Sequence, residues 1–181
     1  LVVGNELLVG GDFYYADGVP AQCIARWNGT TFLPMGAGFD GSVSALASYG
    51  GQVVAAGSFS FSGTNPIYGA AVWGGTSWRL LAPNGPVPTI KALQSVGGFL
   101  YAGGSFTSPG PYVARFDGTS WSGVGGVNGV FSGSIPTTVL ALGAHGTDLL
   151  VGGEFTRGGN PPEAGTAVVS TNVVAYDGIS W

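Results

Sequence analysis

The chain has 181 residues, of which 35 are Gly; 45% are hydrophobic, 12% aromatic and only 8% charged. Disordered chains are charged and poor in aromatics, and Gly weakens helix interiors by roughly 1 kcal/mol each, so the composition argues against both disorder and a helical protein. A net charge of −4 with five Lys and Arg lacks the basic face that nucleic acid requires and the polybasic patch that an anionic membrane surface requires. Gly, Ser, Thr, Asn or Asp interrupts every apolar run well before the ~20 residues of a membrane-spanning helix. A single cysteine, Cys23, leaves no internal disulfide and no cysteine metal cluster. The chain opens on Leu1 with no signal peptide, as a segment cut from a longer protein would.

Three landmarks recur in fixed order along the chain. Hydrophobic-x-Ala-Leu reads VSAL at 43–46, IKAL at 90–93 and VLAL at 139–142. A Gly-rich run reads LLVGGDF at 7–13, VVAAGSF at 53–59, LYAGGSF at 100–106 and LLVGGEF at 149–155. The last reads IARWNGTTF at 24–32, AAVWGGTSW at 70–78, VARFDGTSW at 113–121 and VVAYDGISW at 173–181. The second Gly of the Gly-rich run falls at 11, 57, 104 and 153, a period of 46 to 49 residues. Each landmark is rich in β-formers and bounded by turn residues, so each reads as a short strand. Four strands per repeat follow, named a (x-Ala-Leu), b (x-x-Gly-Gly), c (Ala-Arg-Trp) and d (Trp-x-x-Leu). The dipeptides Asn28-Gly29, Gly74-Gly75, Asp117-Gly118 and Asp177-Gly178 lie between c and d and predict type I′ hairpin turns there.

Four antiparallel strands per ~45 residues predict an all-β β-propeller of four-stranded blades, as one region over 1–181 with repeats near 1–40, 41–86, 87–136 and 137–181. Leu1 aligns with Ala47, so the first repeat is expected to lack strand a. The last repeat stops at Trp181 before strand d, giving 14 strands, about three and a half blades, and a fragment of a larger propeller. Open sheet edges at both ends are expected to promote association. The a–b and c–d spacings are constant. From the strand-b Phe to the turn Gly the steps are 16, 16, 12 and 23, and from the turn Gly to the next strand-a Ala they are 16, 17 and 23. In an up-and-down blade all this variation falls at one end, where binding is expected.

The order Gly-Gly, aromatic-Asp-Gly, Trp-x-x-Leu resembles the kelch repeat. It resembles still more the IARWDG-type repeats of secreted bacterial propellers and the related repeats of the fungal cortical cell-polarity marker family. The second copy departs with Ala56-Gly57, and Trp73 and Trp78 stand closer than their kelch counterparts. The resemblance implies a propeller used for binding, in a secreted or cell-surface protein. Kelch propellers also include a copper oxidase, which needs His ligands and a Tyr–Cys pair. This chain has one His, His145, in the a–b turn, and Cys23 before strand c, where a small buried hydrophobe is expected. The Asp-box of sialidases is not matched, because Asp and Gly are adjacent here.

No catalytic residue, metal or cofactor is expected from the remaining residues. Arg26 and Arg115 share one repeat position, as surface or inter-blade residues paired with Asp12 or Glu154. Asp12, Ser58, Ser105 and Glu154 share another, where they cap the start of the b–c loop. Asn28-Gly29-Thr30 matches a glycosylation sequon that the hairpin turn already explains. The aromatics of strands c and d (Trp27, Trp73, Phe116, Tyr176; Phe32, Trp78, Trp121, Trp181) are expected to pack between blades, at about 2–3 kcal/mol each. The candidate ligand-binding residues are the loop aromatics Tyr14, Tyr15, Phe61, Tyr68, Tyr112 and Phe131, with the long loops around 126–138 and 156–172 dominating the site. Aromatics among Asn, Ser and Gly suit a carbohydrate or protein ligand. The reading is a non-catalytic binding or surface-structural module. The alternatives are part of a carbohydrate-active enzyme or oxidase whose catalytic residues lie in other blades, and a structural scaffold with no ligand.

Overall fold

A computed structural model describes residues 1–87, 89–124, 138–155 and 172–181. Those residues are all-β, with no helix. Four antiparallel sheets follow one another along the chain, each with its strands side by side in chain order. The first contains Val2–Val3, Glu6–Gly10, Ile24–Trp27 and Phe32–Pro34. The second contains Val43–Tyr49, Gln52–Gly57, Ala70–Trp73 and Trp78–Leu80. The third contains Ile90–Val96, Phe99–Gly104, Val113–Phe116 and Trp121–Gly123. The fourth contains Thr138–His145, Asp148–Glu154 and Val173–Tyr176.

The first sheet corrects one expectation, because it keeps the end of strand a. Val2 pairs with Leu7 and Val3 with Glu6, and Leu1 and Leu8 exchange backbone hydrogen bonds of 2.7 and 3.1 Å. Strand a runs three residues past the Ala-Leu pair to the a–b turn, so Leu1–Val3 are equivalent to Ala47–Tyr49.

The sheets stack face to face through three apolar layers. Leu8, Ile24, Val43, Ala55, Ala71 and Trp78 join sheets one and two. Val54, Val72, Ile90, Leu100, Phe116 and Trp121 join two and three. Tyr101, Val113, Val139, Leu149, Val174 and Tyr176 join three and four. Alternate residues of a strand point to opposite faces, so Val53 and Ala55 serve one layer while Val54 and Ala56 serve the next. Between the second and third sheets, and between the third and fourth, the closest approach is at strand a. Strand-c and strand-d aromatics meet as tilted pairs in every repeat: Trp27–Phe32 at 4.9 Å, Trp73–Trp78 at 5.0 Å, Phe116–Trp121 at 5.3 Å and Tyr176–Trp181 at 4.8 Å. The last three pairs lie between sheets as expected; the Trp27–Phe32 pair is on the face of the first sheet turned away from the second.

The second Gly of the Gly-rich run has a definite steric reason. Sheets two, three and four share one bulge, at Val43/Ala45, Ile90/Ala92 and Val139/Ala141. It lays the carbonyl oxygens of Ser42, Thr89 and Thr138 over Gly57, Gly104 and Gly153, where a Cβ would coincide with them. The first Gly serves the stacking, since a Cβ on Gly10 or Gly103 would meet the side chain of Val43 or Val139 in the next sheet.

The turns differ from expectation. Between c and d only the Gly has positive φ, at 97°, 92°, 102° and 100° for Gly29, Gly75, Gly118 and Gly178. These are four-residue loops closed by an aromatic pair, Trp27 opposite Phe32 for example, and not two-residue I′ turns. The reason lies in the side chain before the Gly. Asn28 Oδ1 accepts the N–H groups of Thr30 and Thr31, both at 2.9 Å. Asp117 does the same for Thr119 and Ser120, and Asp177 for Ile179 and Ser180. Two positive-φ residues in succession, the I′ requirement, occur instead between a and b, at Gly50-Gly51 and Gly97-Gly98.

Candidate functional site

The end of the stack with variable connections is held by bonds that repeat from sheet to sheet. The residue before strand c is left-handed in every repeat: Cys23 (φ 68°), Gly69 (70°), Tyr112 (66°) and Asn172 (72°). The kink turns its carbonyl back to accept the N–H of Gly11, Gly57, Gly104 or Gly153, at 3.0, 3.1, 3.0 and 3.0 Å. Cys23 is buried, as expected of its place.

Each described d–a linker sews two b–c loops together. Phe39 donates its N–H to Gln22 O of the first loop at 2.8 Å. It stacks on Phe59 at the start of the second loop, with ring centroids 4.1 Å apart. Asp40 Oδ1 accepts the N–H groups of Ser60 and Phe61, both at 2.8 Å. In the next linker Pro86 O lies against Gly69, and Val87 pairs with Ser108 of the third loop.

On this base the first two b–c loops carry small hairpins, Tyr15–Ala16 with Val19–Pro20 and Phe61–Ser62 with Asn65–Pro66. Tyr15 and Phe61 are equivalent, each two residues past the strand-b Phe. Both are exposed, Tyr15 at 66% and Phe61 at 41%, beside exposed Tyr14 and Tyr68. Among the described residues no hydrogen bond or ring contact engages these four side chains. A cavity of about 340 Å3 opens beside Tyr68, lined also by Phe59, Ser60, Leu80, Pro83 and Val87. Tyr14 and Tyr15 stand on the neighbouring loop outside that lining. Tyr112 lies apart from them, half-buried against the third apolar layer. Phe131 and most of the two long loops around 126–138 and 156–172 lie outside the described residues.

The charged candidates occupy structural places. Arg26 pairs with Glu6 at 3.1 Å rather than with Asp12. Arg115, at the equivalent position, lies 4.5 Å over the Phe99 ring, the residue equivalent to Glu6. Both correct the expected pairing. Strand pairing explains it: the Arg neighbours Leu8 or Tyr101 across the sheet and reaches two residues toward the a–b turn, while Asp12 and Glu154 follow strand b at the other end. Asp12, Ser58, Ser105 and Glu154 are exposed at the ends of strand b in four successive repeats. His145 ends strand a opposite Asp148. The described residues hold no group of three or more His, Cys, Asp or Glu placed to share a metal ion.

A larger cleft, of about 760 Å3, lies at the constant-turn end between sheets two and three. Tyr49, Gln52, Ser95, Phe99 and Phe116 wall it, and Gly50, Gly97, Gly98 and Gly118 leave it unfilled. Sequence reasoning pointed to neither this cleft nor the linker residues Phe39, Asp40 and Val87. The double glycines at 50–51 and 97–98 were the available signal for the cleft, and Asp40-Gly41 directly before strand a was the signal for the linker. Comparison with protein-family models and with curated proteins found no match.

Proposed function

We propose that the chain is a run of β-propeller blades and that its variable end is a non-catalytic binding surface for a neutral ligand, carbohydrate before protein, in a secreted or cell-surface setting. Three features support the propeller: consecutive sheets stacked in chain order, the closest approach at strand a in the described stack, and one bulge and one turn geometry repeated from sheet to sheet. Convergence at strand a is what an axis on that side requires.

The binding reading is carried by one observation. Equivalent hairpins present Tyr15 and Phe61, while the loops beneath are pinned by Asp40, the Phe39–Phe59 stack and the left-handed kinks. The exposed rings are therefore not needed to hold their loops, and rings without a structural task are free to stack on a sugar face. The test is affinity electrophoresis and calorimetry on soluble xylan, β-glucan and chitin oligosaccharides. Tyr15→Ala, Phe61→Ala and Tyr68→Ala are each expected to weaken binding by about tenfold, the equivalent of roughly 1.4 kcal/mol, with unchanged melting. Retention equal to that of the parent chain in all three variants would refute the site.

A further inference from the structure

The strand-c residue three positions before the turn Gly is Arg26, Val72 and Arg115 in the first three sheets. It pairs with Leu8, Val54 and Tyr101, each of which belongs to the layer shared with the following sheet. The position therefore faces the next sheet in all three repeats. In the first and third layers an arginine side chain covers the constant end there, Arg26 against Glu6 at 3.1 Å and Arg115 over the Phe99 ring at 4.5 Å. In the middle layer Val72 is too short to do so, and the cleft of about 760 Å3 lies at that place. Arg79, directly opposite Val72, does not take over, because it lies back against Gly74 of its own c–d turn and outside the lining. The cleft is thus particular to one layer, where the repeat exchanges its arginine for a valine. Every residue that lines it lies between Ser48 and Gly118, so neither end of the chain is needed to define it.

The lining decides what the cleft can hold. Its walls are apolar, Val54, Val72 and Leu81 on sheet two and Phe116 on sheet three, with Tyr49 meeting Phe116 edge-on at 5.7 Å. No charged side chain lines it. Its hydroxyl protons are already engaged: Ser95 Oγ donates to Ser48 O at 2.6 Å and Tyr49 Oη to Gly98 O at 3.3 Å. Both oxygens keep lone pairs, and the Gln52 amide, on the same side as Val54 by alternation, adds a further acceptor and the one side-chain donor. A carboxylate would meet mostly acceptors. A cation would lose its water with no carboxylate in the lining, and with Arg79 on the same side of the sheet. A sugar would bring a full ring of hydroxyls to apolar walls. A flat apolar ring that donates one hydroxyl proton satisfies both the walls and the acceptors. We propose that this cleft binds an uncharged hydroxylated aromatic compound, its ring between the aliphatic wall of sheet two and Phe116, and its hydroxyl donating to Tyr49 Oη, Ser95 Oγ or the Gln52 amide oxygen. The volume falls within the ~300–1,000 Å3 of small-molecule sites. The inference does not rest on binding at the variable end.

Calorimetric and amide NMR titration of the whole chain with 2-naphthol tests it. This phenol is neutral near pH 7, because such hydroxyls titrate near ~10. The comparison ligands are 2-naphthoate, 2-naphthylmethylammonium and methyl β-glucoside, which change the charge on the same ring or replace the ring by a sugar. Saturable binding of 2-naphthol is expected, at least about tenfold tighter than that of the three others, with shifts centred on the amides of Gly97, Gly98 and Gly118. The double variant Val72→Arg with Arg79→Ser copies the Arg115–Ser122 pair of sheet three. It is expected to keep its circular dichroism and melting and to lose 2-naphthol binding. Should that variant fail to fold, the shift map of the parent chain decides alone. The inference is overturned by a parent chain that shows no saturable binding, by a naphthoate, naphthylmethylammonium or glucoside that binds as tightly, or by binding that survives in the folded double variant. Shifts clustered on Tyr15, Phe61 and Tyr68 would also overturn it, by assigning the ring to the variable end.

Discussion

Replacing Gly57 by Ala adds one methyl group where the fold has no room for it. The ideal Cβ falls on the carbonyl oxygen of Ser42, with Ser42 C and Val43 Cα both at 3.0 Å. All three are backbone atoms, so no rotamer change relieves the overlap. Ser42 O cannot retreat freely, because it accepts the Ser58 N–H at 3.0 Å and its position is set by the bulge at Val43/Ala45. Overpacking a filled site costs about 1–3 kcal/mol, and weakening that hydrogen bond adds about 0.5–1.5 kcal/mol. The expected loss is therefore about 2–4 kcal/mol, a large part of the ~5–15 kcal/mol that holds a typical domain. The assay is urea unfolding followed by Trp fluorescence, reading the midpoint at constant slope. Gly143→Ala is the internal control. In strand a, with Leu150 Cβ at 3.8 Å and no positive φ, it should gain about 0.5–1 kcal/mol by removing a glycine from a strand interior. A loss at Gly57 no greater than the change at Gly143 would refute the steric reading of the Gly-Gly signature.

Two further perturbations test the repeated turns and aromatics. Trp78 donates its indole N–H to Met35 O at 2.9 Å within the buried layer, whereas the buried Trp121 Nε1 has no acceptor among the described residues. Trp78→Phe should therefore cost about 1–3 kcal/mol more in unfolding free energy than Trp121→Phe; equal costs would mean that the hydrogen bond contributes nothing. The N–H groups of Ser120 and Thr119 hold the Asp117 carboxyl below its usual 3.8, and those of Ser180 and Ile179, with the Ser180 hydroxyl, do the same for Asp177. A folded value below the unfolded one makes this contribution fully present above about pH 4 and lost as pH falls through the folded value. Asp117→Asn keeps the acceptor, as Asn28 does, and should flatten the acid limb of melting temperature against pH; an NMR-titrated Asp117 at or above 3.8 would refute it.

The repeat and its strands were legible because their signals are local. Alternating apolar runs ended by Gly or Asp need only their own neighbours to declare themselves, and all four Gly-rich runs proved to be strand b. Turn type was misread for a reason equally local. Asn-Gly and Asp-Gly carry the I′ signal, yet the same Asn and Asp side chains can cap two N–H groups in a longer loop, and Trp27 opposite Phe32 shows which use prevailed. The partner of Arg26 depended on a two-residue reach across a strand pair, which requires the register and not only the repeat position.

The two ends of the stack differ in what determines them, and that difference governs where sequence can vary. At the constant end each turn takes its shape from its own residues: Gly50-Gly51 takes its own left-handed backbone, and Asp117 caps its own loop. Tyr49 Oη donates to Gly98 O at 3.3 Å and Ser95 Oγ to Ser48 O at 2.6 Å across repeats, but these bonds join turns already closed, so turn length is fixed by local chemistry. At the other end the fixing contacts cross between repeats, as when Asp40, leaving the first sheet, caps the loop of the second, or Val87, leaving the second, pairs with Ser108 of the third. A linker anchored at two points tolerates any length that still spans them. Insertions at that end change which side chains stand on the surface without disturbing the layers beneath. Tyr15 and Phe61 on equivalent hairpins, with the shorter loop around Ser108 in the next repeat, are an instance within one chain: the same base with different surface groups.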